Sequence, residues 1–151
     1  MKYKNIYVAA TSQHVGKTTS TLGIVDSFKN MGLNVGYAKP VGQQFLDLGN
    51  LRVDKDIILF SDLLGFDIVP EVHSPVILGK GATERFLDSP QTYDYPERIL
   101  KANKILNETY DLTVYEGTGH PGVGTVTGVN NAKVAKMLDA GVIMVVEGGI
   151  G

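Results

Sequence analysis

Several short groups of residues in this chain are of the types that hold phosphate and its counter-ion. Thr11-Ser12-Gln13-His14-Val15-Gly16-Lys17-Thr18-Thr19 lies between an apolar run, Ile6–Ala10, and a helical pattern. The spacing matches G-x-x-x-x-G-K-[ST], with Thr11 standing at the first glycine. In that pattern Gly16 admits close backbone approach, Lys17 reaches the β- and γ-phosphates, and Thr18 offers a hydroxyl to Mg²⁺. Thr19 is placed to donate to the α-phosphate. Amides at the start of the following helix add to the anion site. A bare Gly-Lys-Thr arises often by chance, as a helix start with a solvated lysine. Its place after a buried strand and before a helix is what gives it meaning.

Lys39-Pro40-Val41 ends a second strand pattern on the same sheet edge. Ligands gather at the carboxyl ends of parallel strands, so Lys39 reads either as a second phosphate cation or as a surface lysine before a turn. Glu116-Gly117-Thr118-Gly119 ends a third strand, and a carboxylate there suits Mg²⁺ opposite Thr18. Asp54 and Asp56 open a helical stretch and are alternative metal carboxylates. Each also reads as a first-turn acid favoured by the helix dipole, and spacing does not choose between the two. Glu147-Gly148-Gly149 repeats the Glu116 pattern and is read as a loop. His14, His73 and His120 have no metal-ligand spacing. With no G-x-S-x-G, H-E-x-x-H or G-x-G-x-x-G after the first strand, hydrolase triads, zinc proteases and dinucleotide oxidoreductases drop away.

These residues need a scaffold, and the hydrophobic pattern supplies one. Ile6–Ala10, Asn34–Ala38, Leu112–Tyr115 and Val142–Val146 are short apolar runs of the kind buried on both faces of a parallel sheet. Between them, Gly16–Asn30 places Leu22, Val25 and Phe28 on one helix face with Ile24 beside them, and Gly32 stops it. Val53–Leu64 predicts a helix carrying Ile57, Phe60 and Leu64. Asp94 and Pro96 open another, with Ile99, Ala102 and Leu106 inward and Glu97–Lys101 and Lys104–Glu108 pairs outward. Asn131–Ala140 is a fourth helix, ended by Gly141. Within Ile68–Pro90 only a short strand at Val76–Leu78 is legible. Strands alternating with helices imply right-handed crossovers and a mostly parallel, three-layer α/β sheet fold.

Composition narrows the class further. The 151 residues carry 14 Lys+Arg and 16 Asp+Glu, a formal charge of −2, which offers no broad basic field for nucleic acid. Absent cysteine removes disulfides, cysteine-ligated zinc and a thiol nucleophile. The longest apolar runs hold five residues, against the roughly 20 of a membrane helix. The run Ile6–Ala10 is too short for a signal peptide's apolar region. A cytoplasmic protein that touches neither membrane nor nucleic acid is expected. Eighteen glycines in 151 residues is an excess over the usual ~7%, and five of them fall between Gly117 and Gly128, where phosphate-binding loops need them. Residues 1–151 read as one nucleotide-binding domain. No helix follows the last strand, so the chain is read as an N-terminal fragment of a longer protein, or one whose final strand is covered by a second copy in a homodimer.

Four elements in this order resemble the dethiobiotin synthetase and cobyrinic/cobyric acid amide synthetase group of P-loop proteins. They are the loop Thr11–Thr19, the Lys39-Pro40-Val41 strand end, the Asp54/Asp56 helix start, and Glu116-Gly117-Thr118-Gly119. A similar domain is found at the N-terminus of long phosphotransacetylases. The resemblance implies a P-loop NTPase fold, ATP and Mg²⁺ as cofactors, and phosphorylation of a carboxylate or carbamate that an amine then attacks. It gives Lys17 and Lys39 the charge-stabilising roles and Thr18, Glu116 and Asp54 or Asp56 the metal. The partners implied are nucleotide and a small carboxylate or amine substrate. The alternative is a non-catalytic, nucleotide-sensing regulatory module of a larger enzyme. Partition and septum-site ATPases carry a signature lysine early in the loop, where this chain has Ala10 and Thr11. The amide synthetases also need a glutaminase cysteine, which is lacking here.

Overall fold

The computed structural model describes residues 2–48 and 51–148. β1 (Asn5–Ala10), β2 (Val35–Ala38), and the later strands β7 (Leu112–Glu116) and β8 (Gly141–Val145) form one parallel sheet in the order β2-β7-β1-β8. Register is set by pairs such as Tyr7 with Tyr115 and Val142, and Tyr37 with Val114. The side-chain alternation of each strand feeds two separate cores. Val8, Val35, Tyr37, Leu112 and Val114 face one, and Tyr7, Ala9, Ala38 and Tyr115 the other. An apolar residue at nearly every strand position is what a sheet covered on both faces requires.

α1 (Lys17–Asn30) and α2 (Lys55–Leu64) close the first core through Val25, Ile57 and Phe60. The second is closed by α5 (Tyr95–Thr109), with Ile99 and Leu106, and by α6 (Asn131–Met137), with Val134 and Ala135. The three-layer α/β fold expected from the pattern is therefore present. The Glu97–Lys101 and Lys104–Glu108 pairs sit on the exposed face of α5. Asp94 caps that helix by accepting from the amide of Glu97 at 3.0 Å.

Between β2 and β7 the chain is more elaborate than its pattern suggests. β3 (Val41–Gly42) pairs in parallel with β6 (Val76–Ile77), and β4 (Phe45–Leu48) pairs antiparallel with β5 (Leu51–Asp54). Val53 and Asp54 thus belong to a strand, and the helix expected from Val53 starts at Lys55. The reason is local: Asp54 is extended, φ −65° and ψ 142°, and its side chain accepts from the amide of Asp56, capping α2. The stretch that resisted reading holds α3 (Pro70–His73), β6, α4 (Ala82–Asp88) and a 3-10 turn at Pro90–Thr92. α6 stops at Met137, short of Ala140, where Asp139 takes φ 47°. Among the described residues no helix is long and apolar enough to cross a membrane. β8 has β1 on one side, and Val142 and Met144 are 54% and 53% exposed.

Candidate nucleotide site

The loop from Thr11 to Gly16 leaves the carboxyl end of β1, which like β7 has a parallel neighbour on each side. Thr11 is tied down by its amide, which donates to the carbonyl of Val145 at 3.2 Å. His14 (φ 63°) and Gly16 (φ 85°) both take left-handed backbone, which coils the loop ahead of α1. Glycine adopts that conformation freely, whereas at His14 it is a local cost of the kind concentrated at binding sites. No described hydrogen bond takes up the backbone N–H groups from Ser12 to Thr19. A coil of unpaired amides ending in a helix N-terminus is a ready-made seat for an anion.

Glu116 stands at the end of β7, fully buried. Its Oε1 accepts from Lys17 Nζ at 2.6 Å and from Thr18 Oγ1 at 2.9 Å. Its Oε2 accepts from the Tyr37 hydroxyl at 3.2 Å. Burial above all, then Glu116, Asp56 and Asp54, holds the Tyr37 phenol well above its ordinary pKa, so it remains a donor. The sequence expectation that Glu116 faces Thr18 is met in space. A hydroxyl and a carboxylate that converge this closely suit Mg²⁺, which is held by few protein oxygens together with phosphate. Among the described residues no cluster of three His, Cys, Asp or Glu forms an all-protein metal cage.

Lys39 extends from the end of β2 and its side chain is largely buried between two acids. Nζ donates to Asp54 Oδ1 at 2.9 Å and also to Asp56 Oδ2. Burial opposes the charge, but Asp54 and Asp56 outweigh it and hold the ammonium above the ordinary lysine range. The two aspartates therefore differ in environment. Asp54 is fully buried and further engaged by the amides of Gln43 (3.2 Å) and Asp56 (3.1 Å). A Cβ on Gly42 would come within 2.7 Å of Asp54 Oδ2, so this strand position has room only for glycine. Asp56 lines the open cavity instead.

That cavity, about 310 Å³, is walled by Ser12, Gln13, His14, Gly16, Lys17, Thr18 and Thr19 of the loop, with Lys39 and Asp56 across from them. Thr11 and Val15, also expected in the binding loop, do not line it. Gln43, Gln44, Lys55, Thr118 and Gly119 do; Thr118 and Gly119 belong to the motif that ends the third strand, whereas Gln44 and Lys55 carried no signal in the sequence. Lys55 brings the lysines facing the cavity to three. His120 turns back on its own loop, accepting from the amide of Gly122 at 3.1 Å. Glu147 accepts from Ser12 Oγ at 3.3 Å, an exposed contact.

Asn131 is the largest omission from the sequence reading. Its Oδ1 accepts from the Thr118 amide, the Thr118 hydroxyl and the Tyr7 hydroxyl, each at 3.0 Å. Its Nδ2 donates to the Thr118 carbonyl at 3.2 Å. This clamp fixes the Gly-rich loop where it passes the phosphate loop. Gly117 is required beside it, because a Cβ there would sit 2.8 Å from Asn131 Oδ1. The only sequence signal was an asparagine at a helix start, which reads equally as a cap.

A parallel sheet between two helix layers, with a Gly-Lys-Thr loop at the end of one inner strand and an acid at the end of the inner strand beside it, defines a P-loop α/β domain of the dethiobiotin synthetase-like kind. The chain belongs to the AAA domain family, whose model matches residues 4–151. It is 33% identical over 142 residues to phosphate acetyltransferase of Nitrosomonas europaea, an alignment covering 92% of this chain and 19% of that protein. It is 31% identical over 120 residues to the ATP-dependent dethiobiotin synthetase BioD of Methanocaldococcus jannaschii, covering 76% of this chain and 52% of that protein. With BioD of Clostridium kluyveri it shares 27% over 157 residues, 98% of this chain and 64% of that protein. The chain thus spans less than two thirds of each of these relatives.

Proposed function

We propose that this chain binds Mg·ATP in the Thr11–Thr19 loop and presents its γ-phosphate to a small carboxylate or carbamate, in the manner of a dethiobiotin synthetase. The observation that carries this reading is the run of backbone amides from Ser12 to Thr19 that no described hydrogen bond takes up, in a loop that, Val15 apart, lines the same cavity as Lys17 and Lys39. In-line phosphoryl transfer requires positioning and charge stabilisation more than covalent help from the protein. Lys17 supplies one fixed cation and Lys39 a second, held in place by Asp54 and Asp56. Thr18 and Glu116 provide the oxygens for Mg²⁺, which when bound neutralises the phosphate charge; Asp56, at the cavity wall, is better placed to assist than Asp54. Nucleotide binding must first draw Lys17 and Thr18 away from Glu116, so the resting ion pair yields to the incoming phosphate.

Calorimetric titration with Mg·ATP tests the binding half. Lys17→Ala removes a charge-assisted contact, and affinity should fall by about 1.5–3 kcal/mol. Equal affinity in the two proteins would refute the assignment. A second reading, a nucleotide-sensing module, is favoured by the match to one fifth of a phosphate acetyltransferase. Under it, nucleotide binds but is not consumed. An ATP-consumption assay with diaminopelargonic acid and bicarbonate separates the two, since dethiobiotin formation at an enzymatic rate supports only the first.

A further inference from the structure

A second cavity, about 500 Å³, lies between β5, α3, α4 and α5 and shares no lining residue with the nucleotide cavity. Arginines from three different elements reach it: Arg52 of β5, Arg85 of α4 and Arg98 of α5. Tyr93 and Tyr95 add two phenols, their ring centroids 5.5 Å apart. The lining is rich in donors and short of acceptors. Among the described residues the Arg98 guanidinium has no hydrogen bond or ion pair, and neither phenol hydroxyl has a hydrogen-bond partner. Arg85 makes one long bond, Nη1 to the Lys80 carbonyl at 3.4 Å, which steadies the guanidinium and leaves most of its donors unused. Among the described residues Glu71 is the single acid in the wall, and it forms no ion pair with Arg85 or Arg98.

The unused guanidinium donors of Arg85 and Arg98, with the two phenols, converge on one concave surface and complement an oxyanion, for which arginine's forked geometry is suited. The closeness of the groups is also visible in Tyr95. Burial and Tyr93 raise its pKa, while Arg98 and Arg85 pull against them. We propose that this cavity is a second ligand site, for a small molecule bearing a phosphate or carboxylate group, held by Arg85 and Arg98 with Tyr93 and Tyr95. The site also adjoins the nucleotide machinery. Ser74, in its wall, accepts from the amide of Asp54 at 3.3 Å, and the carbonyl of His73 accepts from the amide of Lys39 at 2.8 Å.

Phosphate also binds P-loops, so the test is made in the Lys17→Ala background. Inorganic phosphate and malonate are titrated separately by calorimetry into that variant, and into the same variant carrying Arg85→Gln and Arg98→Gln. Both arginines are exposed, so the core is untouched and circular dichroism serves to confirm the fold. The expected result is millimolar or tighter binding of at least one anion that survives Lys17→Ala and weakens at least tenfold with the arginine changes. Phosphate alone assigns a phosphate ligand, and malonate alone a carboxylate. Binding of neither anion, binding abolished by Lys17→Ala alone, or binding indifferent to Arg85 and Arg98 would overturn the proposal.

Discussion

Tyr37 donates its hydroxyl to Oε2 of Glu116 across 3.2 Å, while Lys17 and Thr18 share Oε1. The two carboxylate oxygens therefore have separate duties, one held by the core and one turned to the phosphate loop. Tyr37→Phe should keep the ring stacked on Phe60, 3.6 Å away, and remove only the bond. The buried oxygen left behind should cost about 1–3 kcal/mol of stability. The enhancement of nucleotide binding by Mg²⁺ should fall as well, measured by titration with and without the metal. An unchanged Mg²⁺ effect would mean that Tyr37 supports the fold and not the orientation of Glu116.

Lys39→Met should be strongly destabilising, because it leaves Asp54 charged, fully buried and without its cation. Breaking a buried pair from one side costs about 3–5 kcal/mol, and here the lower end is expected because the amides of Gln43 and Asp56 still bind Asp54. Adding Asp54→Asn should recover part of the loss. Urea unfolding of the single and double variants measures both. Additive losses would show that the pair is not coupled.

Asn131→Ala removes the clamp on Thr118. Loss of the bonds to its amide and carbonyl should destabilise the chain by about 1–3 kcal/mol. Nucleotide affinity should drop too, since Thr118 and Gly119 line the cavity. Thermal melting and titration on the same preparation would separate the effects, and a variant that melts early yet binds nucleotide normally would confine Asn131 to a structural role.

Stability should fall at alkaline pH. Burial is the largest cause raising the phenols of Tyr7, Tyr37 and Tyr115, with Glu116 adding at the first two. Lys39 is raised by Asp54 and Asp56 against the pull of burial. Each group holds its proton more tightly in the folded chain than in the unfolded one. The unfolded chain begins to lose these protons near pH 10, so stability is full below that point and declines as pH climbs towards the folded values. Urea midpoints should be level from neutral pH to about 10 and then drop. The drop should be shallower in Tyr37→Phe. A level midpoint well into alkali would contradict the burial of these phenols.

The phosphate loop, Lys39 and Glu116 were legible because each follows an apolar strand, and strand ends in a parallel sheet meet at one edge. The choice between Asp54 and Asp56 was not, because both sit at a helix start and the distinction is tertiary: one side chain turns into the core and the other faces the cavity. The β4–β5 hairpin was hidden for a related reason. Val53 is four residues before Ile57 and seven before Phe60, so a strand end mimicked the helical spacing of α2. Asn131 and Tyr37 act through partners 13 and 79 residues away, and nothing in their neighbourhoods encodes such contacts. The outer cavity is assembled from the stretch between Arg52 and Arg98, most of which carried no periodic signal at all.

β1 lies between β7 and β8, hydrogen-bonded on both sides. Its amides should therefore exchange with deuterated solvent only when the whole sheet opens, whereas those of the edge strands β2 and β8 can be released by local fraying. The coil of bare amides that follows Ala10 is thus mounted on one of the two strands of the sheet that have a neighbour on each side. A loop free to trade its hydrogen-bond partners springs from a strand that is not. An arriving anion would then meet donors whose root stays put, and the ordering it must impose is limited to a few residues of coil.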